Sequence, residues 1–149
     1  MKKGGMRNRS GQISMSFGTI FSIILIIAFI AFAVFAIIKF LDLQKTIQIE
    51  KFTGDFQNDV SKMWKSTQGS QKLAYSLPTH ILAVCFTDDE FQNMQFNSAK
   101  GIIPGRKISS LDIVKTTETD DPFCIPNVKG KLSLTITKAY GETLVTVTR

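Results

Sequence analysis

The stretch from Phe17 to Ile38 reads FGTIFSIILIIAFIAFAVFAII, and no charged side chain interrupts it. At 1.5 Å of rise per residue, a helix of this length spans roughly 33 Å, which matches a hydrocarbon core of about 30 Å. A core helix of a soluble protein would show a polar face, and this apolar run (Phe17–Ile38) has none. We therefore predict a transmembrane helix over residues 12–41, with the lipid bilayer as the first partner of the chain.

The basic residues ahead of the apolar run predict its orientation. Lys2, Lys3, Arg7 and Arg9 precede the run, whereas all 12 acidic residues follow it. The net charge of +6 and the pI of 9.4 thus reflect a basic leader, since the charges after the run nearly cancel and are scattered. By the positive-inside rule, residues 1–11 form a cytoplasmic leader and the C-terminal domain lies outside the cytoplasm. We expect a single-pass protein of the cell membrane that has no nucleic-acid partner.

The junction between the leader and the apolar run carries a specific pattern. Gly11 and Gln12 are followed by Ser14 and then Phe17. This junction resembles the class III signal peptides of archaeal type IV pilin-like proteins, whose leader is cut on the cytoplasmic side between a Gly and a Gln. The resemblance implies processing at Gly11 and Gln12 by a prepilin-type peptidase. It further implies pilus assembly machinery and other pilin-like subunits, or copies of this chain, as partners, with a surface filament as one destination.

One residue departs from the family pattern. Ser16 stands where the family usually has Glu, a residue thought to pair with the free amine of a neighbouring pilin subunit. The departure favours an alternative, in which the protein is an uncleaved single-pass anchor that presents an extracytoplasmic binding module.

Small residues recur at one end of the predicted membrane helix. Ser14, Gly18 and Ser22 are spaced at i, i+4 and i+8, and small residues in register let a second helix approach closely in lipid. The hydroxyls of such serines can instead bond back to the backbone of their own helix. Helix packing at these three positions is the hypothesis we favour.

Residues 42–68 predict an amphipathic helical stalk that continues the membrane helix. Its apolar residues step by three or four: Ile49, Phe52, Phe56, Val60 and Met63. We expect this stripe to pack on the protein's own sheet rather than form a coiled-coil seam, because a strict heptad places Asp59 at an apolar position. The helix should end near Ser66, with Gly69 as a left-handed cap; Gly54 is a candidate bend.

Residues 69–149 predict an extracytoplasmic β-rich domain with a small antiparallel sheet, so that the fold class is α+β. Pro104-Gly105 marks a turn, and two alternating runs near the C-terminus predict a hairpin with one buried face. The strand candidates are Lys72–Ser76, His80–Phe86, Asn93–Asn97, Ile108–Val114, Leu132–Ile136 and Leu144–Val147.

Chemistry-bearing residues are few. Cys85 and Cys124 are the two cysteines; outside the cell they could form one disulfide, or they could remain two buried thiols. No C-x-x-C spacing exists, and the lone His80 is distant in sequence from Cys124, which argues against a zinc site. The acidic clusters at 88–90 and 118–121 lack the spacing of a calcium loop and fit solvated turns. We predict no catalytic, cofactor-binding or metal site, and we do not expect an enzyme.

Overall fold

The computed structural model of the protein describes residues 17–149. It divides into two units, one ending at Leu41 and one spanning Asp42–Arg149, which we call the C-terminal unit. One long helix is followed by seven strands and a second, short helix. The elements are α1 Phe17–Lys65, β1 Gly69–Ser76, β2 Ile81–Phe86, β3 Met94–Ser98, β4 Gly101–Ile103, α2 Ile113–Thr116, β5 Phe123–Val128, β6 Lys131–Lys138 and β7 Thr146–Thr148.

The seven strands form one sheet in the order β1-β6-β5-β2-β3-β4, and β7 pairs with β6. Each ladder between these strands is antiparallel. The predicted C-terminal hairpin is confirmed, because Ile136 of β6 lies opposite Val147 of β7. The predicted α+β class, with a long apolar N-terminal helix ahead of an antiparallel sheet, is confirmed as well.

The second half of α1 packs on the sheet through its apolar stripe. Phe56 and Val60 are fully buried and Phe52 is 2% exposed. They share one hydrophobic core with inward-facing residues of the sheet, among them Phe86, Phe96, Leu132, Leu134 and Ile136. The prediction that this stripe packs on the protein's own sheet is confirmed. Burying such side chains contributes roughly 1.5–3 kcal/mol each.

Strand β5 is not among the strands expected from the sequence, and Pro126 interrupts its otherwise strand-like run. A proline cannot donate to a ladder and argues against a central strand. Pro126 lies opposite Ala83 of β2, yet β6 pairs only with Asn127 and Val128 of β5. The proline therefore sits where the strand has one neighbour in place of two, which is an edge-like position that tolerates it.

The strand predicted at Ile108–Val114 is wrong. Ile108 is 2% exposed and its backbone bonds to a side chain rather than to a neighbouring strand. The Asn93 amide donates to the Ile108 carbonyl over 2.8 Å and accepts from the Ile108 N–H over 2.7 Å. Asp112 then caps the short helix α2 by accepting from the Lys115 N–H over 3.0 Å. An aspartate at this position favours a helical start over a continuing strand.

Gly69 was also predicted wrongly, as the left-handed cap of the long helix. It opens β1 and is not among the glycines with positive φ. The end of α1 is capped by an ammonium group from another strand. Lys138 Nζ donates to the carbonyl oxygens of Trp64 (2.5 Å) and Ser66 (2.8 Å). A cation at a helix C-terminus satisfies orphan carbonyls and complements the helix dipole.

Candidate functional site

The apolar half of α1 presents its side chains outward. Phe17, Phe29 and Phe32 are 85%, 69% and 70% exposed. Within residues 17–149, α1 is the one helix long and apolar enough to cross a membrane, and its apolar window has no residue buried by the rest of the described chain. A core helix of a soluble protein would be covered by its own fold. The exposed apolar surface is therefore compatible with a membrane anchor joined to a β-rich domain.

Two of the three predicted helix-packing residues, Gly18 and Ser22, lie in this part of the chain. Gly18 and Ser22 are exposed and one helical turn apart near the start of α1. Ser14, the third member of the set, and the processing pair Gly11 and Gln12 lie outside the described residues. The open surface at Gly18 and Ser22 leaves room for a second helix.

Of the two alternatives for the cysteines, the disulfide is the one that is formed. Cys85 of β2 and Cys124 of β5 lie directly opposite each other, and their sulfur atoms are bonded at 2.06 Å. Cys85 is 7% exposed. No free cysteine exists in residues 17–149, so the described chain offers no thiol for nucleophilic chemistry. The sequence had left the choice between a disulfide and two thiols open.

Tyr75 joins the first strand to the helix at the position that breaks the heptad. Its hydroxyl donates to Asp59 Oδ2 over 2.8 Å, and its ring packs edge-on against Phe52 and Phe56, with centroids 5.1 and 6.1 Å apart. Burial raises the pKa of Tyr75, and the adjacent Asp59 carboxylate raises that pKa further. The charged residue that excluded a coiled-coil seam thus fixes the helix on the sheet.

The segment after β4 is held against both α1 and β3 by several polar contacts. Arg106 forms an ion pair with Glu50 at 2.5 Å. The Gln57 side chain accepts from the Ser109 N–H over 2.8 Å. Gly105 passes so close to β3 that a Cβ on it would lie 1.7 Å from the Met94 carbonyl oxygen. These contacts fix an irregular segment that has no ladder partner, which sequence periodicity could not reveal.

The acidic turn after β2 has a structural use. Asp89 Oδ1 accepts from the N–H groups of Gln92 and Phe91 over 2.9 and 2.7 Å. The bond from Gln92, and after it the bond from Phe91, lowers the pKa of Asp89. Within residues 17–149, no cluster of three or more His, Cys, Asp or Glu side chains is arranged to hold a metal ion. Through its two hydrogen bonds to the backbone, Asp89 organises the turn that leads into β3.

A cleft of about 380 Å³ lies in the C-terminal unit. One side is the part of α1 that starts at Asp42, and the other side is formed by loops of the sheet. It is lined by Asp42 and Lys45 from the helix and by His80 and Lys100 from the loops. Asp42 and Lys45 pair with each other at 3.1 Å. The cleft thus combines a neutralised ion pair with one histidine and one exposed lysine.

Comparison with known proteins adds no relative from which a role could be transferred. No family model matches the chain, and no curated protein or solved structure matches it.

Proposed function

We propose that the protein is a pilin-like structural subunit anchored in the cell membrane. Its leader would be removed between Gly11 and Gln12, its apolar helix retained in lipid, and its β-rich domain displayed outside the cytoplasm. The proposal takes its processing step, its peptidase and its assembly partners from the resemblance of the leader junction to class III signal peptides.

The observation that carries the proposal is that the two parts of α1 have different surroundings. The first part of this helix exposes apolar side chains such as Phe29 and Phe32. The second part buries Phe52, Phe56 and Val60 against a sheet. A helix built in this way can anchor a domain in a bilayer while keeping a free apolar surface for neighbouring helices, where Gly18 and Ser22 allow close approach.

A second candidate function rests on Ser16, which replaces the glutamate usual in the family. In that case the leader stays on the chain, and the protein is a single-pass anchor that presents a binding module. Both candidates are non-enzymatic and share the anchor, but they differ in the N-terminus of the mature protein.

Mass spectrometry of the N-terminus, on protein purified from membranes, separates the two candidates. The pilin-like function requires a mature chain that begins at Gln12, and Gly11→Val should leave the leader attached. A wild-type chain that retains Lys2 and Lys3 would contradict the pilin-like function and support the uncleaved anchor.

Helix packing is tested separately by crosslinking in membranes. Gly18→Ile should reduce crosslinks between subunits without changing membrane insertion, because the larger side chain separates the helices. Ala28→Ile is the matched control on the same helix. Equal crosslinking in Gly18→Ile and wild-type protein would remove the role assigned to Gly18.

A further inference from the structure

The directions of the strands bring three turns together at one end of the sheet. These turns join β1 to β2 (77–80), β3 to β4 (99–100) and β5 to β6 (129–130). Backbone bonds connect them: the Ala99 N–H donates to the His80 carbonyl over 3.4 Å, and the Leu77 N–H donates to the Gly130 carbonyl over 3.0 Å. The three turns therefore form one continuous surface.

The same end of the sheet adjoins the start of the C-terminal unit. His80 and Lys100 line the cleft that is also lined by Asp42 and Lys45. Asp42 is the first residue of the C-terminal unit and follows Ile38 by four residues in the sequence. The opposite end of the sheet lies near Trp64, whose carbonyl accepts from Lys138. The helix from Asp42 to Trp64 separates the two ends by about 33 Å.

Charges are distributed unequally between these two ends. Lys100, Lys129 and Lys131 are exposed at the three-turn end, and none of the ion pairs found in residues 17–149 uses them. The one carboxylate that lines the cleft there, Asp42, is paired with Lys45. Acidic loop residues lie at the opposite strand ends: Asp88, Asp89 and Glu90 after β2, and Glu118, Asp120 and Asp121 before β5. Of the acidic residues there, Glu142 pairs with Lys115 and Asp120 pairs with Arg149.

Exposed apolar side chains accompany the three lysines. Ile102, Val128 and Leu82 are 70%, 61% and 52% exposed, and each lies within two residues of one of the turns. Leu82 sits where the pairing of β2 with β3 shifts register, and such irregularities re-aim a side chain. We call these three residues, together with Lys100, Lys129 and Lys131, the basic end. Lysine heads beside apolar side chains are typical of surfaces that lie in the headgroup region of a bilayer.

We propose that the basic end docks on the membrane in which the chain is anchored, with its lysines on the phosphate groups of anionic lipids. The proposal rests on the membrane anchor of the proposed function but not on leader processing or assembly. Docking fixes the C-terminal unit against the bilayer and directs the acidic ends of the strands away from it. No ion pair within residues 17–149 uses Asp88, Asp89 or Glu90. These carboxylates and an anionic lipid surface repel each other, which disfavours the inverted arrangement.

Lipid contact is measured on the full chain reconstituted in vesicles, with a single tryptophan as the probe. In a Trp64→Phe background, Ile102→Trp places the probe at the basic end and Tyr140→Trp places it near Lys138, at the far end. Phosphatidylcholine brominated on its acyl chains is mixed with phosphatidylglycerol as the anionic lipid. We expect strong quenching of the tryptophan at position 102 and little at position 140. Vesicles without phosphatidylglycerol should reduce quenching at 102.

A charge-matched pair of variants tests the lysines. Lys100→Gln, Lys129→Gln and Lys131→Gln together should lower the docked-to-undocked ratio by about a hundredfold, since each lysine near an anionic surface contributes roughly fivefold. Lys62→Gln, Lys65→Gln and Lys72→Gln together remove the same charge elsewhere and should leave quenching unchanged. In the Ile102→Trp protein that retains all its lysines, 1 M salt should reduce quenching of the tryptophan at position 102. Salt at this concentration screens charges over a distance of about 3 Å.

Two results would overturn docking. One is equal quenching at positions 102 and 140 in vesicles that float with the protein; the other is quenching at 102 that falls as the protein-to-lipid ratio rises, which would assign the basic end to a second copy of the chain. Failure of the protein to float with vesicles would instead contradict the anchor, and with it the proposed function.

Discussion

Tyr75 of the first strand donates its hydroxyl to Asp59 of the long helix over 2.8 Å, while its ring packs against Phe52 and Phe56. The bond is both polar and partly buried, and it lies between the helix and the sheet. It therefore ties the second half of α1 to the first strand of the sheet.

Replacing Tyr75 by Phe keeps the ring contacts and removes the hydrogen bond to a carboxylate. We expect Tyr75→Phe to lower the free energy of unfolding by about 1–2 kcal/mol. Denaturant titration of the full chain in detergent, followed by circular dichroism, measures this change. Tyr140→Phe is the matched control, because Tyr140 is 79% exposed. A Tyr75→Phe midpoint equal to that of the control would contradict the role of the bond.

Alkaline pH should destabilise the protein through the same tyrosine. The folded protein raises the pKa of Tyr75 by burial and by the Asp59 carboxylate, whereas in the unfolded chain the pKa is about 10. The stabilisation is therefore fully present below pH 10 and is lost as the pH rises above it, because the unfolded state then releases a proton that the folded state retains. Relative to wild type, Tyr75→Phe should show a weaker fall in stability over that range.

Absorbance of tyrosinate provides an independent check of this pH effect. The chain has two tyrosines, and Tyr75 should ionise only when the sheet unfolds. Titration of both tyrosines together, with the circular dichroism spectrum intact, would contradict the buried position of Tyr75.

Loss of the disulfide should destabilise the C-terminal unit strongly. The bond joins residues separated by 39 positions, and a loop of that size corresponds to about 4 kcal/mol through the unfolded state. Cys85→Ala combined with Cys124→Ala should lower the unfolding free energy by this order, and a reducing agent should shift the wild-type midpoint to that of the double variant. An unchanged wild-type midpoint under reducing conditions that free both thiols would contradict the prediction.

Two glycine substitutions should act in opposite directions. Gly54 lies inside α1, and a Cβ there would meet nothing within 4 Å, so Gly54→Ala should stabilise the protein by about 0.5–1 kcal/mol through helix propensity. Gly105→Ala should destabilise it severely, because its Cβ would lie 1.7 Å from the Met94 carbonyl oxygen. Thermal unfolding of the two variants beside wild type measures both effects. Destabilisation by Gly54→Ala would indicate that the helix bends at this position.

The capping lysine makes a further prediction. Lys138→Met keeps an unbranched apolar chain but removes the donor to the carbonyls of Trp64 and Ser66. We expect a loss of about 1 kcal/mol and faster hydrogen exchange in the last turn of α1. Lys72→Met, in the neighbouring strand, should change stability by less than about 0.5 kcal/mol. Unchanged exchange in Lys138→Met would remove the capping role.

The sequence was informative wherever periodicity decides structure. The helical spacing of Phe52, Phe56 and Val60 predicted the face that packs on the sheet, and the alternation of Leu132, Leu134 and Ile136 predicted β6. Both patterns survive because a buried face requires apolar side chains at a fixed period. Opposite pairing of Cys85 and Cys124, by contrast, depends on the register of β2 and β5, which no local pattern specifies.

The failures have a common cause, which is dependence on contacts between distant residues. The end of α1 is capped by Lys138, which lies 74 residues beyond Trp64, so a nearby glycine gave the wrong expectation. The backbone of Ile108 bonds to the Asn93 side chain rather than to a neighbouring strand. The basic end is likewise visible only once the strand directions bring Lys100 and Lys129 to the same side of the sheet.

The central claim is that the apolar helix is lodged in the membrane with its basic leader in the cytoplasm and its β-rich domain outside. Protease added to intact cells from which any outer layer has been removed tests it most directly, with an antibody to the C-terminal residues as the probe. We predict digestion of the β-rich domain in these cells, while a cytoplasmic marker protein survives. Protection of the domain in intact cells, followed by its digestion after the cells are broken, would contradict the account.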